Sequence, residues 1–282
     1  NGASVTTVGA QSYSGAVSLG VDMLLDAGAG NVTLGSTVDS TVGTAKALSV
    51  NSTGATTFSG AVGYTHPLAS LSTNAGGTVA INGGSVTTVG AQSYGEALSM
   101  GMATTLTGSG VTFGGAVTGT SSLSVVGTTT MNGASVTTVG AQSYSGAVSL
   151  LRDTLIDAGS GNVTFSGTIN GAHALTINSS GSTTLGGLVG GSTALTSLTT
   201  DAAGTLTLSG GGVTTIGAQT YNDAVTLGAN TALSSTGAGN IRFASTVDGA
   251  YGLTVNTSGL TRFDGSVGGF IPLTSLSTDA LG

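Results

Sequence analysis

Histidines are the first residues whose chemistry needs testing, because they serve both catalysis and metal binding. The chain of 282 residues has two, His66 and His173. His173 stands in Ala-His-Ala-Leu, and the matching position in two other copies of that segment is Lys46 or Tyr251. A position that accepts Lys, His and Tyr is typical of an outward surface, and neither histidine has a base, nucleophile or second metal ligand nearby in the repeat. We therefore predict no catalytic residue, no metal ligand and no bound cofactor.

Aspartates are the second candidates, since a pair of carboxylates can hydrolyse glycosidic bonds. Asp22 and Asp26 match Asp153 and Asp157 in another copy of the repeat. In a stacked repeat these two pairs would lie about seven coils, roughly 35 Å, apart and could not act together. The Gly-Gly-x-Gly-x-Asp repeat of calcium-binding β-rolls is absent. These patterns predict that the protein is not an enzyme.

The most specific motif is Val-Thr-Thr-Val-Gly-Ala-Gln-Ser-Tyr, which we call the marker. It occurs three times, and a fourth copy has Ile and Thr in place of the second Val and Ser, at residues 5–13, 86–94, 136–144 and 213–221. Successive copies begin 81, 50 and 77 residues apart. Its glutamines and tyrosines could present a glycan platform, or could form a structural corner at which Gln bonds the backbone and Tyr covers the core. We favour the structural interpretation for Gln11, Tyr13, Gln92, Tyr94, Gln142, Tyr144, Gln219 and Tyr221.

The residues between markers alternate as short strands do. Val163 and Phe165 flank Thr164, and such triplets are punctuated by glycine or asparagine. Alternation of period two with β-branched residues predicts strands, and no segment has a helical pattern. Between 162 and 239 the triplets fall into four blocks, and the 50-residue spacing is explained by loss of one whole block. Modules that can be deleted without loss of register are typical of a solenoid.

These blocks predict an all-β fold, a right-handed parallel β-helix (β-solenoid) of about fifteen coils of roughly 19 residues each. We expect one continuous array over 1–282, a rod of roughly 70 Å. Its repeat units are approximately 1–77, 78–127 (one coil short), 128–204 and 205–282. Neither end has a polar cap, so we expect the array to continue on both sides.

Composition limits the partners. Charged residues are 5% of the chain, glycine contributes 51 residues, and the net charge is −7. Four scattered cations argue against nucleic acid and anionic lipid as partners. No apolar run reaches the roughly 18 residues of a membrane helix, which predicts no membrane insertion.

The Gly-Asn-Val-Thr-Phe and Ala-Leu-Thr-Val-Asn strands, the coil length and the Gly-Ala-Gln-x-Tyr marker resemble the repeats of filamentous haemagglutinin-like adhesins and autotransporter shafts of bacteria. The resemblance covers the whole chain. It implies a structural shaft of a large secreted surface adhesin or filament, extracellular at the bacterial cell surface, that mediates attachment to surfaces or cells. Its partners would be further repeats of the same chain or other copies end to end. Alternatives are a self-assembling extracellular fibre, sheath or matrix, and a β-helix that binds host or cell-surface glycans.

Overall fold

A computed structural model describes residues 2–279 of the chain. Strands are the only regular secondary structure in this range, and no helix in it is long and apolar enough to cross a membrane. The chain divides into two compact units, Asn1–Thr138 and Val139–Gly282. Each unit is a parallel β-solenoid, so the predicted fold class is confirmed.

In the first unit each turn contributes three strand positions, and equivalent positions of successive turns pair in parallel to form columns I, II and III. The long strands β14 and β16 each cover a position in column III and the next position in column I. Val62 takes a column III position through isolated bridges to Val38 and Val86. Column I contains β1 (Ser4–Thr6), β4 (Met23–Asp26), β7 (Ala47–Asn51), β9 (Ser70–Thr73), β12 (Ala91–Tyr94), and parts of β14 (Thr104–Phe113) and β16 (Leu123–Met131). Column II contains β2 (Gln11–Tyr13), β5 (Val32–Leu34), β8 (Ala55–Phe58), β10 (Thr78–Ile81), β13 (Ala97–Met100), β15 (Val117–Gly119) and β17 (Ser135–Thr138), and column III contains β3 (Val17–Leu19), β6 (Val38–Ser40), β11 (Ser85–Thr87) and the remaining parts of β14 and β16.

The second unit repeats this arrangement with parallel pairing throughout its three columns. Val189 and Val267 take strand positions through isolated bridges. Column I contains β19 (Val148–Leu150), β22 (Ile169–Asn170), β27 (Gly212–Thr215), β30 (Thr231–Ser235), β33 (Gly252–Thr257) and β35 (Ser275–Thr278). Column II contains β20 (Thr154–Asp157), β23 (Ala174–Asn178), β25 (Ser197–Thr200), β28 (Gln219–Tyr221), β31 (Ile241–Phe243) and β34 (Thr261–Phe263), and column III contains β18 (Gln142–Tyr144), β21 (Val163–Phe165), β24 (Ser182–Leu185), β26 (Thr205–Leu208), β29 (Ala224–Leu227) and β32 (Val247–Asp248).

The number of turns corrects the prediction. The register shows turns of different length: Val79 pairs with Leu98, 19 residues later, and Val32 pairs with Thr56, 24 residues later. There are about 13 turns of about 21 residues, not fifteen of 19. The count was too high because four blocks were counted in the unit 162–239, whereas its last block, 222–239, holds only two of the three strand positions of a turn. Right-handed winding and one continuous array stay predictions.

Inward side chains form the core of each unit, as the alternation predicts. Val163 and Phe165 are buried and Thr164 between them is half-buried, and the same pattern recurs in β23 and β29. Burying an aliphatic or aromatic side chain of this size contributes roughly 1.5–3 kcal/mol. A ladder of such residues through successive turns therefore stabilises a fold that has little surface charge.

Corners are held by hydrogen bonds between neighbouring turns. The side-chain oxygen Oδ1 of Asn31 accepts the Ala55 N–H at 2.9 Å, and Oδ1 of Asn162 accepts the Ser182 N–H at 2.9 Å. Asparagine directly before these strands therefore supplies an acceptor where the parallel ladder begins.

Candidate functional site

The marker is the sequence feature singled out for a functional role, and all four copies form strands. Its Gln-x-Tyr triplets are β2, β12, β18 and β28, so they do not form the expected corner between strands. Gln and Tyr point inward and the residue between them points outward. Tyr94, Tyr144 and Tyr221 are completely buried, whereas Tyr13 is half-buried.

Glutamine and tyrosine of one marker share a hydrogen bond inside the turn. The Tyr221 hydroxyl donates to Oε1 of Gln219 at 2.8 Å. Nε2 of Gln219 donates to the Ser234 carbonyl of the next turn at 2.9 Å and to Oγ1 of Thr215 at 3.1 Å. The Gln92 copy has the same contacts, with the Thr107 carbonyl at 2.9 Å. Each glutamine therefore ties its own turn to the following one.

The chain turns a corner just before each glutamine, between the strand that ends the first half of the marker and the strand that holds Gln and Tyr. The fourth marker residue is an exposed aliphatic in every copy: Val8, Val89, Val139 and Ile216. Oγ1 of Thr215 donates to the Gly217 carbonyl at 2.6 Å and closes this corner. The Thr107 carbonyl accepts the Thr88 N–H at 2.8 Å and the Gln92 amide at 2.9 Å, which is possible because a carbonyl oxygen has two lone pairs. The glutamine therefore adds a second hydrogen bond to a carbonyl that already takes part in the ladder.

Burial also determines what the marker tyrosines can do. Desolvation raises the pKa of Tyr94, Tyr144 and Tyr221, so these phenols stay protonated donors. Their rings stack on phenylalanines of the next turn, with centroids 4.8 Å apart for Tyr144 and Phe165 and 5.1 Å for Tyr221 and Phe243. A ring enclosed in this way cannot present its edge to a glycan.

Successive markers occupy different columns. In the first unit Gln11 lies in column II and Gln92 in column I, eleven strand positions later. In the second unit Gln142 lies in column III and Gln219 in column II, again eleven positions later. Between Gln92 and Gln142 the chain has eight positions, three fewer, which is one whole turn. The sequence repeat is therefore not a whole number of turns.

The aspartate pairs hold corners. Oδ1 of Asp22 accepts the Ala47 N–H and Oδ1 of Asp153 accepts the Ala174 N–H, both at 2.9 Å. Asp26 and Asp157 each accept an N–H two residues later, at 3.1 and 3.0 Å. No group of three or more His, Cys, Asp or Glu in residues 2–279 is placed to hold a metal ion.

One histidine has a neighbour that the sequence did not reveal. Nδ1 of His173 lies 3.6 Å from Oδ1 of Asp153, and both side chains are partly exposed. The two residues are twenty apart, about one turn, so a correct turn length would have placed them together. The expectation that His173 has no acidic neighbour was wrong.

Two buried acids were also missed. Glu96 and Asp223 are 4% and 2% exposed, and each stands two residues after a marker tyrosine. Oε2 of Glu96 accepts the Thr73 hydroxyl at 2.8 Å. Desolvation raises the pKa of both carboxyls. The other two markers have Gly15 and Gly146 at this position, and that difference between copies was the available signal.

The second unit carries an ion network on its surface. Arg242 and Arg262 are partners in adjacent strands of column II, and both pair with Asp264. Two like charges directly opposite each other in neighbouring strands are unfavourable. Asp264 offsets this repulsion because its carboxylate pairs with both arginines. All three groups are partly exposed, so the network contributes little to stability.

Comparison with known proteins adds no family to these observations. The solenoid architecture is consistent with a β-helical repeat protein. No protein-family model matches the chain, and neither a curated protein nor a solved structure was found to match it.

Proposed function

We propose that this protein is a structural shaft segment of a large secreted bacterial surface adhesin or filament, located outside the cell and mediating attachment to surfaces or other cells. Its role would be mechanical and not enzymatic. Its partners would be further repeats of the same chain or other copies.

The observation that carries this proposal is the construction of the turns. Ladders of inward side chains join neighbouring turns, and the Gln–Tyr pairs of the marker add hydrogen bonds between turns. The glutamines and most of the tyrosines of the marker are buried, so the most specific motif of the sequence serves the interior of the solenoid. Stacked modules of this kind are a general means of spanning distance, because each turn needs only its neighbours for stability. Asp22 and Asp153 serve as corner acceptors, and His173 is partly exposed at the surface.

Small-angle scattering of the purified chain tests the proposal. A shaft predicts an elongated particle with β-type circular dichroism and cooperative unfolding. A compact globule would contradict it. A second measurement follows secretion and surface display of the full gene product in its host, and retention inside the cell would exclude the adhesin role.

A self-assembling fibre or sheath is the second candidate, and the outward residues favour it. Column II of the first unit presents an almost uncharged outward ladder, Ser12, Thr33, Thr57, Ala80, Ser99, Thr118 and Thr137. Proteins that avoid association usually place charges on such surfaces. A ladder of mostly hydroxyl side chains without charge favours side-by-side contact of copies.

Sedimentation at increasing concentration distinguishes the two candidates. Self-assembly predicts large species that Thr57→Lys, an outward change, reduces. The matched control is Thr112→Lys, outward in column I of the same unit. Monomers at every concentration would leave the shaft as the better proposal.

A further inference from the structure

One turn of the first unit departs from the repeat by an insertion. Three copies of the same corner connect an acid or amide to a leucine: Asp39 to Leu48, Asn170 to Leu175 and Asp248 to Leu253. The first connection is four residues longer than the other two. The turns agree otherwise, because Oδ1 of Asp39, of Asn170 and of Asp248 each accept two backbone N–H groups of the following turn.

The insertion forms one wall of a surface groove, which we call the Val42 groove. Ser40, Thr41 and His66 line its centre. One arm of about 460 Å³ extends to Val42 and Thr65, and the other, of about 180 Å³, extends to Pro67 and Val89. Val42 is 81% exposed and Val89 is 67% exposed, so each arm of the groove has one aliphatic side chain that faces solvent.

The groove is preformed by backbone hydrogen bonds. The Ser40 N–H donates to the His66 carbonyl at 3.1 Å, and the Thr41 N–H donates to the Leu19 carbonyl at 2.9 Å. Oγ of Ser40 accepts the Lys46 N–H at 2.9 Å and closes the inserted loop. The Thr65 and His66 N–H groups are fixed on Asp39 at 2.9 and 3.1 Å. A ligand would therefore meet a surface whose shape is already set, which lowers the entropic cost of binding.

The chemistry of the lining selects a class of ligand. Apolar Val42, Pro67 and Val89 alternate with hydroxyls and the His66 imidazole, and the single carboxylate, Asp39, already accepts two N–H groups. A surface that combines apolar patches with hydroxyl donors and acceptors fits a ring with C–H faces and a rim of hydroxyls. No Lys or Arg is among the residues that line the groove, which disfavours an acidic ligand. The groove also offers no free strand edge for a peptide, because Val38 and Val62 are paired with strands on both sides.

From these features we propose that the Val42 groove binds a neutral saccharide. This proposal goes beyond the shaft role and does not depend on it, because a shaft can support attachment without a ligand at this turn. It places saccharide binding at an insertion of the repeat and away from the buried marker tyrosines.

The experiment screens the whole chain on an array of neutral oligosaccharides of glucose, galactose, mannose and N-acetylhexosamines, and then measures the strongest binder by calorimetry. Two variants test the site: His66→Ala, and replacement of residues 40–46 by Gly-Ala-His, the shorter sequence at 171–173. The second unit accommodates that shorter connection, so the replacement should keep the fold. Thr193→Ala, at the position equivalent to His66, is the matched control.

We expect both site variants to weaken binding by about tenfold or more and the control to bind as the parent does. Circular dichroism and thermal unfolding of each variant separate loss of the site from loss of the fold. If the replacement variant unfolds, His66→Ala alone decides. The proposal is overturned if no neutral saccharide binds, or if binding persists unchanged in His66→Ala.

Discussion

At the scale of single residues, the marker glutamine and tyrosine form one buried polar pair. The phenol supplies the proton that Oε1 of Gln219 needs, and the amide supplies protons for carbonyl groups of two turns. A buried polar group stabilises only when it is satisfied, since an unpaired one carries its full desolvation cost. We therefore expect that replacing only one member of the pair lowers the stability of the fold.

Tyr221→Phe tests this pair. The change leaves Oε1 of Gln219 without its donor inside the core and should lower the free energy of unfolding by about 1–3 kcal/mol. Urea unfolding followed by circular dichroism measures the loss. The control is Tyr13→Phe, which should cost less because Tyr13 is half-buried and water can replace its hydroxyl. Equal losses in both variants would show that burial does not set the cost.

Glu96 gives a prediction on pH. Burial raises the pKa of its carboxyl, so the folded state disfavours the ionised form more than the unfolded state does. The stability that this group contributes is therefore fully present below its unfolded pKa and is lost as the pH rises through the higher folded pKa. Glu96→Gln should stabilise the protein at neutral pH and flatten this part of the profile.

Unfolding midpoints measured from acidic to neutral pH check the Glu96 prediction. Thr73→Val is the companion variant, because it removes the hydroxyl that favours the ionised carboxylate and should steepen the loss. A profile of Glu96→Gln that runs parallel to that of the parent would rule out this role for Glu96.

At the scale of elements, the turns depend on corners where two backbones approach closely. Gly190 has φ +68°, and a Cβ atom there would lie 2.0 Å from the Thr214 carbonyl oxygen of the next turn. Gly63 is the equivalent in the first unit, with the Thr87 oxygen at 2.1 Å. Neither corner can accept a side chain unless the stacking distance changes.

Gly190→Ala should therefore destabilise the second unit by more than about 1 kcal/mol. Gly15→Ala is the matched control, because a Cβ atom at Gly15 would meet no other atom within 4 Å and two of the other three copies have an acid at this place. We expect the control to change stability by less than about 0.5 kcal/mol. Thermal unfolding compares the two, and an equal shift would contradict the steric explanation.

At the scale of the whole molecule, the length of the sequence repeat is not a whole number of turns. Eleven strand positions separate Gln11 from Gln92 in the first compact unit and Gln142 from Gln219 in the second. Four turns contain twelve positions, so within each compact unit the second marker lies one column before the column of the first. The short repeat between Gln92 and Gln142 has three strand positions fewer, which is one whole turn. Loss of a whole turn is therefore compatible with the fold, whereas loss of part of a turn is not.

A designed deletion tests this. Thr183 pairs with Leu206, so removing residues 183–205 joins Ser182 to Leu206 and deletes one turn. We expect a folded chain with the same type of circular dichroism spectrum. Removing only 183–193 would bring the following strands into the wrong columns and expose inward side chains, so we expect that variant to aggregate or unfold. Two equally folded variants would show that the columns are not specific.

The sequence by itself determined the fold class, the inward and outward faces and the exchange of whole modules, because alternation of period two and repetition are local properties. Val163, Thr164 and Phe165 have the same orientation in any solenoid built from them. Only the tertiary structure decided the number of turns, the column of each marker, and contacts such as His173 with Asp153 and Glu96 with Thr73. These depend on corner lengths, which vary from turn to turn. A few residues added at a corner leave the strand pattern unchanged but alter which side chains meet in the next turn.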